Sequence, residues 1–167
     1  MNNEMKKNIL IVDDEASNLG VMKQILLTEN YKLYFAKSAE EAFSRVAEHS
    51  IDLILLDIIM PDMDGYEVCK RLKSDKNTEK IPIIFVTCMD DIDDEMKGFD
   101  LGAVDYITKP VSPAIVQARV RTHLSLVRAT EIEASRLLII QRLGRAAEFR
   151  DDATGRHVIR MSHYAKL

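Results

Sequence analysis

The sequence predicts an α/β protein: a doubly wound, parallel, five-stranded sheet followed by a long helical extension. Five short apolar runs alternate with segments of helical periodicity. Runs such as NILIV, DLILL and PIIFV are apolar at consecutive positions, which is typical of strands covered on both faces of a sheet. Regular alternation of strand and helix gives parallel strands joined by right-handed crossovers.

Each element has its own signal along the chain. The predicted strands are Asn8–Val12, Tyr31–Phe35, Ile51–Leu56, Pro82–Thr87 and Ala103–Ile107. Ser17 is a candidate cap for the first helix, and Ser38, followed by Glu40 and Glu41, resembles a capping box for the second. The apolar stripes that predict the four helices are Leu19, Met22, Leu26 and Leu27; Ala42, Val46 and Ala47; Tyr66, Val68, Cys69 and Leu72; and Met96 with Phe99.

The pattern changes after Pro113. Residues 114–150 contain no proline and a single glycine, Gly144. Apolar residues recur at intervals of three, four or seven, at Val116, Val120, Leu124, Val127, Ala134 and Leu138. This spacing predicts either one long helix with a coiled-coil seam or a fifth helix followed by a separate linker helix.

Composition restricts the class of protein. Residues 1–110 carry a net charge of −9 and residues 111–167 a net charge of +5, which marks a shift near Pro110. The two cysteines form no CxxC pair, which argues against a disulfide scaffold or a zinc site. No apolar run has the length of a signal peptide core or a membrane span, so we expect a cytoplasmic protein without a membrane partner.

Polar side chains follow four of the five predicted strands. Asp13 and Asp14 end the first strand, Asp57 the third, Thr87 the fourth, and Lys109 follows the fifth. Ligands of open parallel sheets bind beyond the carboxyl ends of the strands, so we expect these groups to share one crevice.

The charges in this crevice suggest its chemistry. Three neighbouring carboxylates repel one another unless a cation joins them, and ligation by oxygen alone favours Mg²⁺. Asp57 is then a candidate nucleophile toward phosphorus. Mg²⁺ and Lys109 would neutralise the oxygens of the transferred group, while Thr87 would donate a hydrogen bond to it.

The blocks ILIVDDE, LLDIIMPDMDG, FVTCMD and DYITKP, in this order, resemble the receiver domains of two-component response regulators, which are CheY-like. The resemblance covers about residues 5–125 and implies a flavodoxin-like sheet of order 2-1-3-4-5. It implies that Asp57 accepts a phosphoryl group from a histidine kinase. Mg²⁺ would be held by Asp13, Asp14, Asp57 and the backbone carbonyl of Ile59. Thr87 and Tyr106 would form the switch pair, and Lys109-Pro110 a cis peptide bond.

The segment AAEFRDDATGRHVIRMSHYAKL resembles the start of HD-GYP phosphodiesterases, which hydrolyse cyclic di-GMP. The matching positions are Glu148, Arg150, Asp151, Thr154, Gly155, His157, Arg160 and Tyr164. Ala153 departs from the usual glutamate, so the resemblance does not extend to a third metal. The His-Asp pair and the GYP motif do not occur before Leu167. We therefore expect no hydrolysis by this chain, and His157 would be a ligand only in a complete output domain.

Division into a receiver domain at 1–125, a helical linker at 126–144 and an HD-GYP-like fragment at 145–167 follows from these resemblances. We expect a homodimer through the C-terminal helix. A DNA-binding output is the alternative, which the basic tail permits. Because that tail shows no compact domain with a recognition helix, no nucleic-acid partner is expected. A phosphatase of the haloacid dehalogenase type would need an acid where Ile59 stands, and neither GxGxxG nor a P-loop supports a nucleotide-binding enzyme.

Overall fold

The computed structural model describes the backbone of residues 6–88 and 92–164, and within that part the side chains of residues 6–88 and 96–143. Strands and helices alternate along the described chain. The elements are β1 (Lys7–Val12), α1 (Ala16–Leu26), β2 (Tyr31–Ala36), α2 (Ala39–Glu48), β3 (Leu53–Leu56), α3 (Gly65–Ser74), β4 (Ile83–Thr87), α4 (Ile92–Asp100), β5 (Asp105–Thr108) and α5 (Pro113–Tyr164).

The five strands form one parallel sheet in the order β2-β1-β3-β4-β5, which confirms the predicted fold. Successive residues of a strand point to opposite faces of the sheet. Both faces are buried, each in its own apolar cluster. In β1, Ile9 and Ile11 pack against α1 and α5, whereas Leu10 and Val12 lie in the cluster formed with α2 and α3. Burial on both faces explains why the strands are apolar at consecutive positions.

Three predicted strands begin too early, β3 and β5 by two residues and β4 by one. β3 begins at Leu53, although Asp52 already contacts β1: its amide donates to Asn8 O at 2.8 Å, and its carboxylate accepts hydrogen bonds from the Asn8 amide at 2.8 Å and from Lys7 Nζ at 2.7 Å. β5 begins at Asp105, since the Ala103 amide donates to Gly98 O and closes the end of α4. An apolar run alone does not show which of its residues the neighbouring turns use.

The N-terminal caps of α1, α2 and α3 agree only in part with the sequence predictions. The Ser17 cap is wrong, because α1 begins at Ala16 and Glu15 occupies the cap position without a side-chain bond. The Ser38 cap is confirmed: its hydroxyl accepts a hydrogen bond from the Glu41 amide. Asp64 caps α3 by accepting from the Glu67 amide, a cap that the sequence reading missed.

The C-terminal segment is one continuous helix, so the interpretation as two separate helices is wrong. By its contacts, the chain divides into two units between Ser125 and Leu126, within α5. In the first unit Val116, Val120 and Leu124 are buried in the core. In the second, nearly every described side chain from 126 to 143 is exposed. Within the described residues no helix is long and apolar enough to cross a bilayer.

Candidate functional site

The structure brings the three predicted acids together at the carboxyl edge of the sheet. Asp13 and Asp14 follow β1, and Asp57 follows the neighbouring strand β3. One carboxylate oxygen of each lies within 4.8 Å of the others. Asp13 and Asp57 are 5% and 6% exposed, while Asp14 is exposed to solvent. Three convergent carboxylate oxygens with an open side fit a hard divalent cation such as Mg²⁺, which keeps several waters.

Lys109 connects two of these acids. Its Nζ donates to Asp13 Oδ2 at 2.7 Å and to Asp57 Oδ2 at 2.8 Å. The side chain follows β5 and precedes a cis peptide bond to Pro110. Its backbone amide donates to Thr87 O at 2.8 Å, which ties the loop after β5 to the end of β4. The ammonium group therefore supplies positive charge between two carboxylates.

The pKa values at this site shift in physically understandable directions. Burial raises the pKa of Asp57 above its ordinary value, and the Lys109 ammonium only partly offsets that rise. Burial by itself would lower the pKa of Lys109, but its hydrogen bonds to Asp13 and Asp57 outweigh burial and raise it. The lysine is therefore held in its charged form beside the candidate nucleophile.

The backbone around Asp57 is closely packed. The Asp57 amide donates to Val12 O at 2.9 Å, and its Oδ1 accepts from the Ile59 amide at 3.2 Å. Gly65, the first residue of α3, lies so close that a Cβ there would be 2.2 Å from Asp57 O. The sequence reading missed Gly65, although a glycine after a turn is a signal of close backbone approach.

Thr87 and Tyr106 lie on the adjacent strands β4 and β5. Thr87 is fully buried, and among the described side chains its Oγ1 is the buried polar atom without a hydrogen-bond partner. Leaving a buried hydroxyl unsatisfied is costly, so this atom is poised to donate to a further group. Tyr106 is buried with its ring centroid 6.5 Å from that of Phe85.

A cleft of about 480 Å³ opens over two of the acids, Asp14 and Asp57. The residues that line it are Asp14, Glu15, Asn18, Asp57, Ile59, Cys88, Lys109 and Pro110. Asn18 is a polar residue of this cleft that the sequence reading missed; its position five residues after Asp13, in the first turn of the next helix, is the available signal. His157 falls outside the described side chains.

Residues 9–121 match the family described as response regulator receiver domain. A probable cyclic di-GMP phosphodiesterase of Vibrio cholerae is 40% identical over 95% of this chain and 40% of its own length. The alkaline phosphatase synthesis transcriptional regulatory protein PhoP of Bacillus subtilis is 41% identical over 78% of this chain and 52% of its own length. The chain thus spans about half or less of these relatives.

Solved structures show the same fold. A putative response regulator from Chloroflexus aurantiacus superposes with a TM-score of 0.69 at 32% identity, covering 72% of this chain and 98% of that one. A CheY-like receiver domain from Methanospirillum hungatei gives 0.70 at 30%, covering 75% and 98%. The signal receiver domain of an HD domain-containing protein from Pseudomonas fluorescens gives 0.70 at 25%, covering 74% and 98%.

Proposed function

Because this chain belongs to the family of response regulator receiver domains, we propose that Asp57 is its phosphoacceptor and that the chain is the phosphorylation-controlled switch of a two-component system. One observation carries the proposal. The Asp57 carboxylate stands at the end of a central strand, bonded to Lys109 and within 4.8 Å of oxygens of Asp13 and Asp14. A nucleophile, a fixed cation and a candidate metal site therefore share one cleft.

The proposed reaction transfers a phosphoryl group from a phosphohistidine of a partner kinase. An Asp57 carboxylate oxygen attacks phosphorus, the phosphorus–nitrogen bond breaks, and the electron pair leaves with the imidazole. Asp13, Asp14, Asp57 and the Ile59 carbonyl would hold Mg²⁺, which supplies positive charge for the phosphoryl oxygens when bound. Lys109 already lies 2.8 Å from Asp57 and provides a second positive charge without a large movement. We place this exchange in the cytoplasm.

Thr87 and Tyr106 would read the phosphorylated state. The Oγ1 of Thr87 is buried and has no hydrogen-bond partner. A phosphoryl oxygen on Asp57 would offer it an acceptor, and satisfying this hydroxyl favours a shift of the end of β4 toward the cleft. Tyr106, on the neighbouring strand, would then repack as the second member of the switch pair.

Helix α5 is joined to the switch region by polar contacts. Asp105, next to Tyr106, accepts hydrogen bonds from Arg119 and from His123, whose Nε2 lies 2.8 Å from its carboxylate. On another side of the helix, Gln117 Nε2 donates to Ile25 O of α1 at 2.8 Å. The N-terminal part of α5 is thus bound to both α1 and β5. A movement of β5 at Tyr106 would therefore be transmitted to this helix through Asp105.

We propose that the output controlled through α5 is a cyclic di-GMP phosphodiesterase of the HD-GYP type. Two observations support this proposal: the motif around His157, and the Vibrio cholerae relative, which aligns over 95% of the chain and so extends beyond the receiver region. This chain by itself is not proposed to hydrolyse a cyclic dinucleotide. A DNA-binding output is the alternative, favoured by relatives named as transcriptional regulators, which align over 72–78% of the chain.

We further propose that two copies associate through the second unit. Six large apolar side chains between Ile132 and Leu143 are each 44–65% exposed: Ile132, Leu137, Leu138, Ile139, Ile140 and Leu143. Such a concentration of exposed apolar surface on one helix is a feature of interaction sites. A second copy brings the same helix, which is the simplest complementary surface.

The phosphoacceptor is tested by intact-mass measurement after incubation with Mg²⁺ and acetyl phosphate. We expect a single phosphoryl addition to the wild-type chain and to Asp62→Asn, and none to Asp57→Asn. Asp62 is a suitable control because it lies exposed in the same loop, and asparagine tolerates its positive φ of 67°. Removing Mg²⁺ with a chelator should abolish the addition in both reactive proteins.

An addition that persists in Asp57→Asn would assign the phosphoryl group to another residue. No addition to the folded wild-type chain would contradict the proposal.

A further inference from the structure

We propose that Asn18 is a positioning residue for the acidic cleft: it holds the Asp13 carboxylate in the orientation that binds Mg²⁺. This inference rests on the proposed function, because it assumes that Mg²⁺ occupies the cleft. It adds a residue that none of the sequence motifs contained and gives that residue a role in metal affinity.

The hydrogen bonds around Asp13 carry the inference. Asn18 Nδ2 donates to Asp13 Oδ1 at 3.0 Å, and the Glu15 amide donates to the same oxygen at 2.9 Å. The other oxygen, Oδ2, accepts from Lys109 Nζ at 2.7 Å. With two donors on Oδ1 and one on Oδ2, the lone pair left for a cation is on Oδ2, because each carboxylate oxygen accepts about two hydrogen bonds. Asn18 therefore helps to select which oxygen of Asp13 remains available.

Asn18 also stands between two cavities. The first is the cleft of about 480 Å³ lined by Asp14 and Asp57. The second is a largely apolar cavity of about 240 Å³, lined by Val21, Met22, Leu55 and Val86 among others. Asn18, Lys109 and Pro110 line both. Without the Asn18 amide, Asp13 would lose one of its two hydrogen bonds on Oδ1, and the boundary between the cleft and the apolar cavity would open.

The consequence is a weaker metal site in an otherwise folded protein. Groups that orient a metal ligand through a hydrogen bond typically change metal affinity by about 10–100-fold when removed. The Glu15 amide remains after substitution of Asn18, so the turn at the start of α1 keeps one of its bonds. We therefore expect loss of Asn18 to act on Mg²⁺ affinity and much less on the phosphoryl-transfer step at saturating Mg²⁺.

The test compares Asn18→Leu, which keeps the branched shape of the side chain but removes the donor, with Asn18→Ala, which removes both. Ser17→Ala is the matched control, because Ser17 is an exposed neighbour on α1 whose hydroxyl donates to the Glu15 carboxylate at 3.4 Å. The Mg²⁺ dissociation constant is measured by isothermal titration calorimetry on the full chain. Initial phosphorylation rates with acetyl phosphate are measured across a Mg²⁺ series.

We expect both Asn18 variants to raise the Mg²⁺ dissociation constant by about tenfold or more, with maximal rates within about threefold of wild type and Ser17→Ala unchanged. Asn18→Ala should be the weaker binder if the boundary between the cavities contributes. Wild-type affinity in both folded variants would overturn the inference and leave the proposed function intact. If the wild-type chain itself binds no Mg²⁺ at millimolar concentration, the proposed metal site and the role of Asn18 are both wrong.

Discussion

At the scale of single residues, Asp57 must satisfy two opposed requirements. Asp57 is 6% exposed, and burial raises its pKa, yet the proposed attack on phosphorus needs the ionised carboxylate. Lys109 reconciles these requirements in part by donating to both Asp57 and Asp13. The free-energy cost of keeping the buried Asp57 carboxylate ionised, as far as Lys109 does not offset it, is an example of the local instability that proteins retain at functional sites.

We predict that Asp57→Asn stabilises the fold at neutral pH. When folding raises the pKa of a carboxyl group, the stability that this group contributes is lost as the pH rises from its unfolded-state pKa through its folded-state pKa. The free energy of unfolding of wild type should therefore decrease relative to that of Asp57→Asn as the pH is raised. The difference should reach a plateau above the raised pKa of Asp57. The measurement is urea denaturation between pH 4 and 7.5 without Mg²⁺.

Most other titrating groups are common to both proteins, so their contributions largely cancel in this difference. Asp62→Asn, at an exposed position, should track wild type across the range. A difference that stays constant with pH, or that falls as the pH rises, would contradict the argument.

At the scale of elements, the approach of α3 to the end of β3 fixes the candidate nucleophile. The Gly65 amide donates to Ile58 O at 2.8 Å, and Asp64 caps the same helix. No side chain can occupy position 65, because its Cβ would meet Asp57 O and Ile58 Cα at 2.2 and 2.8 Å. The helix start therefore limits how far the Asp57 backbone can move.

We predict that Gly65→Ala destabilises the protein by about 3 kcal/mol or more, at or above the upper end of the usual cost of overpacking, because the clash is with backbone. Gly20→Ala is the matched control: Gly20 is exposed within α1, and a Cβ there meets nothing within 4 Å. That change should stabilise by about 0.5–1 kcal/mol. Urea denaturation gives both values, and acetyl phosphate labelling shows whether Asp57 still reacts.

Similar stability of the two alanine variants would mean that α3 moves away from Asp57 easily. The close approach would then have no role in holding the nucleophile.

At the scale of the whole molecule, the chain consists of two units with different surfaces. The first contains both apolar clusters of the core and the acidic cleft. The second is helical as far as Tyr164, and its described side chains include exposed large apolar residues such as Leu137 and Ile140. The proposed phosphorylation and the proposed association would therefore lie in separate segments of one chain.

We predict that a chain ending at Ser125 accepts a phosphoryl group at the same rate as the full chain but is monomeric. The reason is that the cleft lies wholly in the first unit, whereas the exposed apolar residues lie in the second. Light scattering after size exclusion measures the mass, and intact-mass kinetics measure phosphorylation. Leu137→Glu with Ile140→Glu in the full chain should reproduce the monomer without affecting labelling.

A dimer that survives truncation at Ser125 would place the interface on the receiver instead. A monomeric full chain would remove the role proposed for the second unit.

The sequence alone determined the class of fold and the identities of the acids at the strand ends. Continuous apolar strands, helical stripes and the order of the motif blocks are local patterns, and such patterns can be recognised in the amino-acid sequence alone. The parallel sheet of order 2-1-3-4-5 is accordingly confirmed. The first residue of β5 was less predictable, because Ala103, in the turn before this strand, is as apolar as the residues of the strand itself.

The tertiary structure alone decided how the acids are held. Lys109 bonds to Asp13 across 96 residues of sequence and to Asp57 across 52, and no periodicity encodes such contacts. The closeness of Gly65 to the Asp57 backbone and the bond from Asn18 to Asp13 likewise depend on the packing of helices onto the sheet. The physical reason is that distant residues become neighbours only once burial of both sheet faces fixes the position of every helix.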